Sequence, residues 1–381
     1  MKILYSAAGT PIPGNHGGSV HALELCRALA RRGHEVHLVA LRPEAGAAAA
    51  ATIDGVVLHY LRRILPVKLL EWTAAGALRR LVGQVRPDVV VERFYTFGGA
   101  GVGAARRAGI PAVLEVNSPA RDYPGSLRDK LDRLSLVRPV DRWRRRQLAA
   151  CAAIYTTSRH LLPAALQDDA TVIVNGVDID RFRPGPPAAD SGPLRGVYVS
   201  SFRSWHGAED LVAALTHCRD RRIPLRVTCI GAGPRWKAAR EAAAAAGLGE
   251  MVEFTGNVPH DRVPGFLAEA DVGIAPFAPH RFSALELGWF WSPIKIFEYL
   301  AAGLPVVTAD IAELRALLPG GVANFYAPGD PLALAEALVE LEGDRAAVRR
   351  MALAARALAE RRYTWDQQAA AVDAVLEGAV Q

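Results

Sequence analysis

Short Val- and Ile-rich runs alternate with longer helical stretches along almost the whole chain, and that alternation leaves few folds open. In the first half the runs are "KILYSAA", "EVHLVAL", "VVLHYL", "DVVVERF", "PAVLEV", "AIYTTS" and "TVIVNG". They are apolar on both faces, as strands in the middle of a parallel sheet are. Helical patterns lie between them, notably 19–32 and 127–150. In the second half "GVYVSSF", "LRVTCIG", "VEFTGN", "VGIAPF" and "LPVVTAD" repeat the scheme, with helices expected near 207–219, 234–246, 261–269 and 293–302. Strands alternating with helices predict doubly wound parallel sheets. At 381 residues the chain exceeds one ordinary core. The aperiodic, Pro- and Gly-dense "RPGPPAADSG" at 183–192 reads as a linker. The expected architecture is α/β: two Rossmann-like domains, 1–182 and 193–363, facing across a cleft.

Composition narrows the function. There are 45 basic and 39 acidic residues, for a net charge of +6, which suits anionic ligands or an anionic surface. Cys26, Cys151, Cys218 and Cys229 are scattered without a CxxC pair, so neither a zinc site nor a disulfide framework is expected. The chain opens directly in a strand pattern, and no apolar run approaches the ~20 residues needed to span a bilayer. A reducing, cytoplasmic setting is the expectation. Arg142, Arg144, Arg145 and Arg146 form a basic run, but no aromatic platform accompanies it, which argues against nucleic acid. The surrounding segment 126–150 is basic and amphipathic. It could lie on the inner face of a membrane with Leu131, Leu134 and Trp143 against lipid, or pack as a plain helix.

In doubly wound sheets ligands bind beyond the C-terminal ends of the strands. The first such turn holds Gly17 and Gly18, which permit close backbone approach, and Ser19, placed to cap the next helix. It is not the GxGxxG fingerprint. "HEVH" at 34–37 sits on a strand pattern, where the two histidines face opposite ways and cannot share a metal. "SSFRSWHGAEDL" puts Arg203 and His206 just before a helix, two cations suited to a diphosphate, and "CIGAGPRW" adds Gly231 and Gly233 in another strand-end turn. In "SPIKIFEYLAAGLPVV" (292–307), Lys295 and Glu298 are three apart and share a helix face, with Ile294, Phe297 and Leu300 expected on the buried stripe opposite. Lys295 can neutralise a phosphate there, and Glu298 can accept from a ribose diol.

Taken together, "GGSVHALELCRALARRGHEV", "VIVNGVDIDRF", "SSFRSWHGAEDL", "IGAGP", "VEFTGNVPHDRVPGFLAEADVGIAPF" and "SPIKIFEYLAAGLPVV" resemble the retaining GT-B glycosyltransferases of family 4 (glycosyl transferases group 1) over nearly the whole length. The closing "RYTWDQQAAAVDAV" is similar to the family's C-terminal helix, so about 364–381 is expected to pack back on the N-terminal domain. The resemblance implies a nucleoside-diphosphate-sugar donor in the second domain and an acceptor bound by N-domain loops around 9–18 and 117–126.

By that resemblance Glu298 matches the second glutamate of an E-x7-E motif, while the first falls on Phe290. The family's phosphate-binding Arg/Lys pair falls on Ser201 and His206, with Arg203 two residues away. Asn117 stands where a histidine often lies near the reacting sugar, and Glu115 is two residues earlier on the same strand face. The catalytic set implied is Arg203, His206, Lys295 and Asn117. Donor contacts fall to Gly17, Gly18, Ser201, Gly231, Gly233, Ser292, Pro293, Ile294 and Glu298. Glu115 and His16 lie on the acceptor side, where the acceptor is a saccharide, a lipid-linked glycan or a small aglycone.

The implied reaction is metal-independent hexosyl transfer with retention and no further cofactor. With no DxD triplet in the strand-end turns, helix N-termini and side-chain cations carry the charge of the leaving diphosphate. His206, standing where relatives carry lysine, is expected to titrate near neutrality. Two other readings stay open: a non-catalytic nucleotide-sugar-binding subunit, and a sugar-nucleotide epimerase.

Overall fold

In the computed structural model, residues 1–14, 17–42, 51–61, 67–94, 99–117, 146–282, 288–289 and 291–381 are described. The chain divides into two units, Met1–Gly176 with Phe290–Ser292 and Trp365–Gln381, and Val177–Trp289 with Pro293–Thr364.

The first unit runs β1 (Lys2–Pro11), α1 (Gly17–Arg31), β2 (Glu35–Leu41), β3 (Thr52–Ile53), β4 (Val56–Leu61), α2 (Val67–Val85), β5 (Val89–Arg93), α3 (Ala100–Ala108), β6 (Ala112–Val116), β7 (Ala153–Thr156) and β8 (Thr171–Val172). Its sheet has the order β3-β4-β2-β1-β5-β6-β7-β8, and every pair except β3–β4 is parallel. The strand reading of "TVIVNG" shrinks to Thr171–Val172, and β3, a two-residue antiparallel edge, carries too little apolar pattern to be foreseen. The chain's last helix, Trp365–Val380, belongs to this unit. Its Trp365, Ala369, Val372 and Leu376 recur at helical spacing and join the same buried cluster as Leu25, Leu29 and Tyr5. Arg31–Asp366 and Arg32–Asp373 pairs fix its register on α1.

The second unit runs β9 (Leu194–Val199), α4 (Ala208–Asp220), β10 (Leu225–Ile230), α5 (Trp236–Ala245), β11 (Val252–Gly256), α6 (Val263–Ala268), β12 (Val272–Ala275), α7 (Ile294–Ala301), β13 (Val306–Ala309), α8 (Ala312–Leu317), β14 (Ala323–Tyr326), α9 (Pro331–Gly343) and α10 (Arg345–Arg362). The order is β11-β10-β9-β12-β13-β14, all parallel, so the strand order reverses between β9 and β12. At such a reversal the chains leaving the two strands diverge and open a crevice at their C-terminal ends. Helix α7 is tied to this point: the Val199 N–H donates to the Tyr299 hydroxyl (2.8 Å), which itself reaches Ile274 O (3.3 Å).

Two local expectations change. Ser19 does not cap α1, because the helix already begins at Gly17; the Ser19 hydroxyl donates to Pro11 O (2.7 Å) and is buried. The buried stripe of α7 is not opposite Glu298 either. Ile296 to Ala301 are all buried, Glu298 among them, whereas Ile294 is half-exposed. From Ile296 onward a helix wedged between strands and α10 has no wet face, so a polar residue there must find partners inside.

Candidate functional site

The polar groups of the second unit gather around its strand-order reversal. Lys295, one residue into α7, extends so that its Nζ lies 5.3 Å from the ring centroid of Tyr198 on β9 and 5.0 Å from that of Phe277, just past β12. Nζ is buried and has no hydrogen-bond partner among the described residues. Burial pushes the ammonium down to about 7, with the nearby Glu298 opposing. Two ring faces attract a desolvated cation by about 2 kcal/mol, against a desolvation penalty of several kcal/mol for a buried ion, so burial wins. An anion beside Nζ would relieve that cost.

The turn after β9 holds the next group. Ser201 and Arg203 are exposed there. The Ser200 hydroxyl accepts the Phe202 N–H (2.9 Å) and lies 3.0 Å from His206 Nδ1. The free hydroxyl hydrogen suits Nδ1, which leaves the ring proton on Nε2. Burial, then the charges of Lys295 and Arg203, pushes the imidazole down to about 2. This runs against the expectation of a histidine that titrates near neutrality: burial favours the neutral imidazole, and the basic side chains near it are Arg203 in the same turn and Lys295 on α7. Gly231 and Gly233 are required by this same turn. A Cβ on Gly231 would meet Ser200 O at 2.0 Å, and one on Gly233 would meet Ser201 O at 1.9 Å. Their missing side chains let the β10 turn pack against the β9 turn.

Glu298, three residues after Lys295, is buried and accepts from His260, whose Nε2 stands 2.8 Å from Oε1. His260 comes from the turn between β11 and α6 and was not foreseen; the only sequence signal was a histidine in a strand-end turn. Pro293 stands at the N-cap position of α7 without a side-chain capping bond, and Ile294 is the helix's first residue. Ser292 belongs to the first unit, where its hydroxyl accepts the Asn175 N–H (2.8 Å) and its carbonyl accepts from Asn175 Nδ2 (2.6 Å).

The candidates of the first unit assemble around a different centre. Gly17 and Gly18 open α1, where Gly17 is exposed, and His16 lies outside the described residues. Glu115, near the end of β6, is fully buried. It accepts from the hydroxyls of Tyr5 and Tyr155 (the latter at 2.6 Å), from Arg93 (2.9 Å) and from Asn117. His21 Nε2 stands 2.9 Å from Oε1 but is not aligned for a hydrogen bond. Burial alone would raise its pKa; His21, Arg93 and the Tyr155 hydrogen bond outweigh that and hold the carboxyl far below the usual range. A carboxylate so fully engaged cannot touch an acceptor, which corrects the acceptor-side expectation for Glu115. Its work is to hold Arg93 and Asn117 at the C-terminal ends of β5 and β6. Tyr5, His21, Arg93 and Tyr155 were not foreseen, because partners on four separate elements leave no local spacing to read.

Phe290, nearly all of 126–150, and residues 15–16 and 118–126 of the expected acceptor segments lie outside the described residues. Among the described residues no group of three or more His, Cys, Asp or Glu side chains could hold a metal ion. His34 and His37 turn to different partners, Asp373 (2.9 Å) and His59 (2.9 Å). Among those residues, too, no helix is long and apolar enough to cross a membrane.

Two doubly wound parallel-sheet units, the second with a lysine and a glutamate gathered where its strand order reverses, define a GT-B architecture. The family profile described as "Glycosyltransferase Family 4" matches residues 15–181, and "Glycosyl transferases group 1" matches residues 194–344. A D-inositol 3-phosphate glycosyltransferase from Xylanimonas cellulosilytica is 30% identical, over 98% of this chain and 94% of its own. Sucrose-phosphate synthase from Thermosynechococcus elongatus superposes with a TM-score of 0.74 at 16% identity, covering 99% and 98% of the two chains. HepE from Anabaena, in complex with UDP, does so at 0.72 and 16%, covering 99% and 100%. The chain belongs to the group 1, family 4 glycosyltransferases.

Proposed function

We propose that this glycosyltransferase moves a hexosyl group from a nucleoside diphosphate to an acceptor hydroxyl, with the anomeric configuration retained and without a metal ion. The observation that carries this reading is the buried, unpartnered Lys295 Nζ at the β9/β12 reversal. An amine kept dry and unpaired costs stability, and an anion relieves that cost. A diphosphate supplies it, with Arg203 on its exposed side, the neutral His206 donating through Nε2, and the N-terminus of α4 behind them. Glu298 then takes the ribose diol.

In the transfer the bond between the anomeric carbon and the diphosphate oxygen breaks, and the acceptor oxygen attacks from the same face. The acceptor proton passes to the departing phosphate. Lys295 and Arg203 stabilise that oxygen more strongly as its charge grows, which lowers the barrier. The acceptor falls to the strand ends of the first unit, where Asn117 and Arg93 are held by Glu115. A saccharide, a lipid-linked glycan or a small aglycone each fits the reading, and the name of the inositol-phosphate-using relative favours a polyol.

Glu298→Gln tests the donor assignment. It should weaken binding of the cognate nucleoside diphosphate by about 1.5–3 kcal/mol, the range for a hydrogen bond to a charged group. Calorimetry reads this directly, and an unchanged affinity would remove Glu298 from the site.

A further inference from the structure

The Glu298 carboxylate is almost wholly removed from water, with 6% of the side chain exposed, and a desolvated carboxylate must be held by donors. Among the described residues the side chain that donates to it is His260, 38 positions earlier on another element. The imidazole is 23% exposed, so the pair stands at the edge of the site rather than deep in the core. Its ring tilts against Phe182, itself buried, with centroids 5.8 Å apart, and this packing restricts the ring's rotation. The turn bearing His260 leaves the C-terminal end of β11, on the same edge of the sheet as the turns after β9 and β12.

We propose that His260 is a positioning residue for nucleotide recognition: by donating Nε2–H to Oε1 it fixes the Glu298 carboxylate so that Oε2 is presented to the 2′,3′-diol of a ribose. This rests on the reading of Glu298 as the ribose ligand. A carboxylate on a side chain with three rotatable bonds pays entropy to hold one geometry, and a partner that pre-sets the rotamer removes that cost from binding. The effect is specific to the diol. It should alter discrimination between nucleotides with and without ribose hydroxyls, and leave the diphosphate contacts of Lys295 and Arg203 unchanged.

The experiment measures binding of UDP and GDP, each against its 2′,3′-dideoxy analogue, to the unaltered protein and to His260→Phe, His260→Gln and Glu298→Gln. Phenylalanine keeps a ring against Phe182 but has no donor, whereas glutamine restores an N–H near the place of Nε2. The unaltered protein should prefer the ribose form by at least about tenfold, as expected for hydrogen bonds to a charged group. His260→Phe should cut that preference to within about threefold while the dideoxy affinity stays put, and His260→Gln should recover most of it. A preference untouched in His260→Phe, or ribose binding tightened by that change, would overturn the proposal; tightening would mean that the imidazole competes for the carboxylate. A preference that survives in Glu298→Gln, or failure of both nucleotides to bind the unaltered protein, would instead overturn the donor-site reading beneath it.

Discussion

Lys295 shows how a functional residue weakens the fold that carries it. Its amine has a folded-state pKa of about 7, below the roughly 10.4 of an unfolded lysine. The folded chain therefore binds fewer protons than the unfolded one between those values, and the stability this group contributes is lost as pH falls from about 10 to 7. Lys295→Met should consequently unfold at a higher denaturant midpoint than the parent at pH 7, with the gap narrowing by pH 9.5, while nucleotide-sugar affinity falls at least about tenfold. Chemical denaturation at the two pH values, with calorimetry beside it, checks both halves. A second consequence is that binding an intact nucleotide sugar at pH 8 should take up roughly one proton, because a diphosphate favours the charged amine. Heats that do not vary with the buffer's ionisation enthalpy would mean that no proton is taken up, against this reading of Lys295. The sequence showed Lys295 and Glu298 as candidates because charge stands out in an apolar run. It could not show that His206 is desolvated or that His260 holds Glu298, since both depend on which turns the sheet brings together.

At the scale of elements, alternation was enough to give parallel pairing in two doubly wound sheets, because a right-handed β-α-β crossover leaves few arrangements; the order of the strands within each sheet was not read. What escaped were the edges: β3 is two residues long, and β14, "ANFY", is half-exposed along most of its length. An edge strand has one neighbour and less need for apolar residues, so its signal fades into that of a loop. The turn at the β10 end was legible as glycine-rich and that at the β9 end as basic, but the reason for the glycines was not. Gly233 spares room for the Ser201 carbonyl, so Gly233→Ala should displace the β9 turn. An overpacked contact of this kind costs about 1–3 kcal/mol, and here part of it should appear as weaker nucleotide binding because Ser201 and Arg203 ride on the same turn. Equilibrium unfolding and nucleotide titration of the variant measure the two parts. Alanine tolerated with neither effect would mean that the turns yield freely.

For the whole molecule, the account is that one unit carries a metal-independent donor site and the chain transfers a sugar with retention. The family and the GT-B fold stand on sequence and structural likeness along the full chain; the nucleotide-sugar donor and its site, the stereochemistry and metal independence are the proposal. The most direct measurement is a proton NMR time course of UDP-glucose and of GDP-mannose, each incubated with the chain in EDTA and no added acceptor, so that water takes the acceptor's part. The account predicts that the anomeric donor signal of one of them decays and that the first sugar to appear has the donor's own anomeric configuration, before mutarotation mixes the two. A first-formed sugar of opposite configuration, turnover that requires added magnesium or manganese, or no turnover of either donor would contradict it.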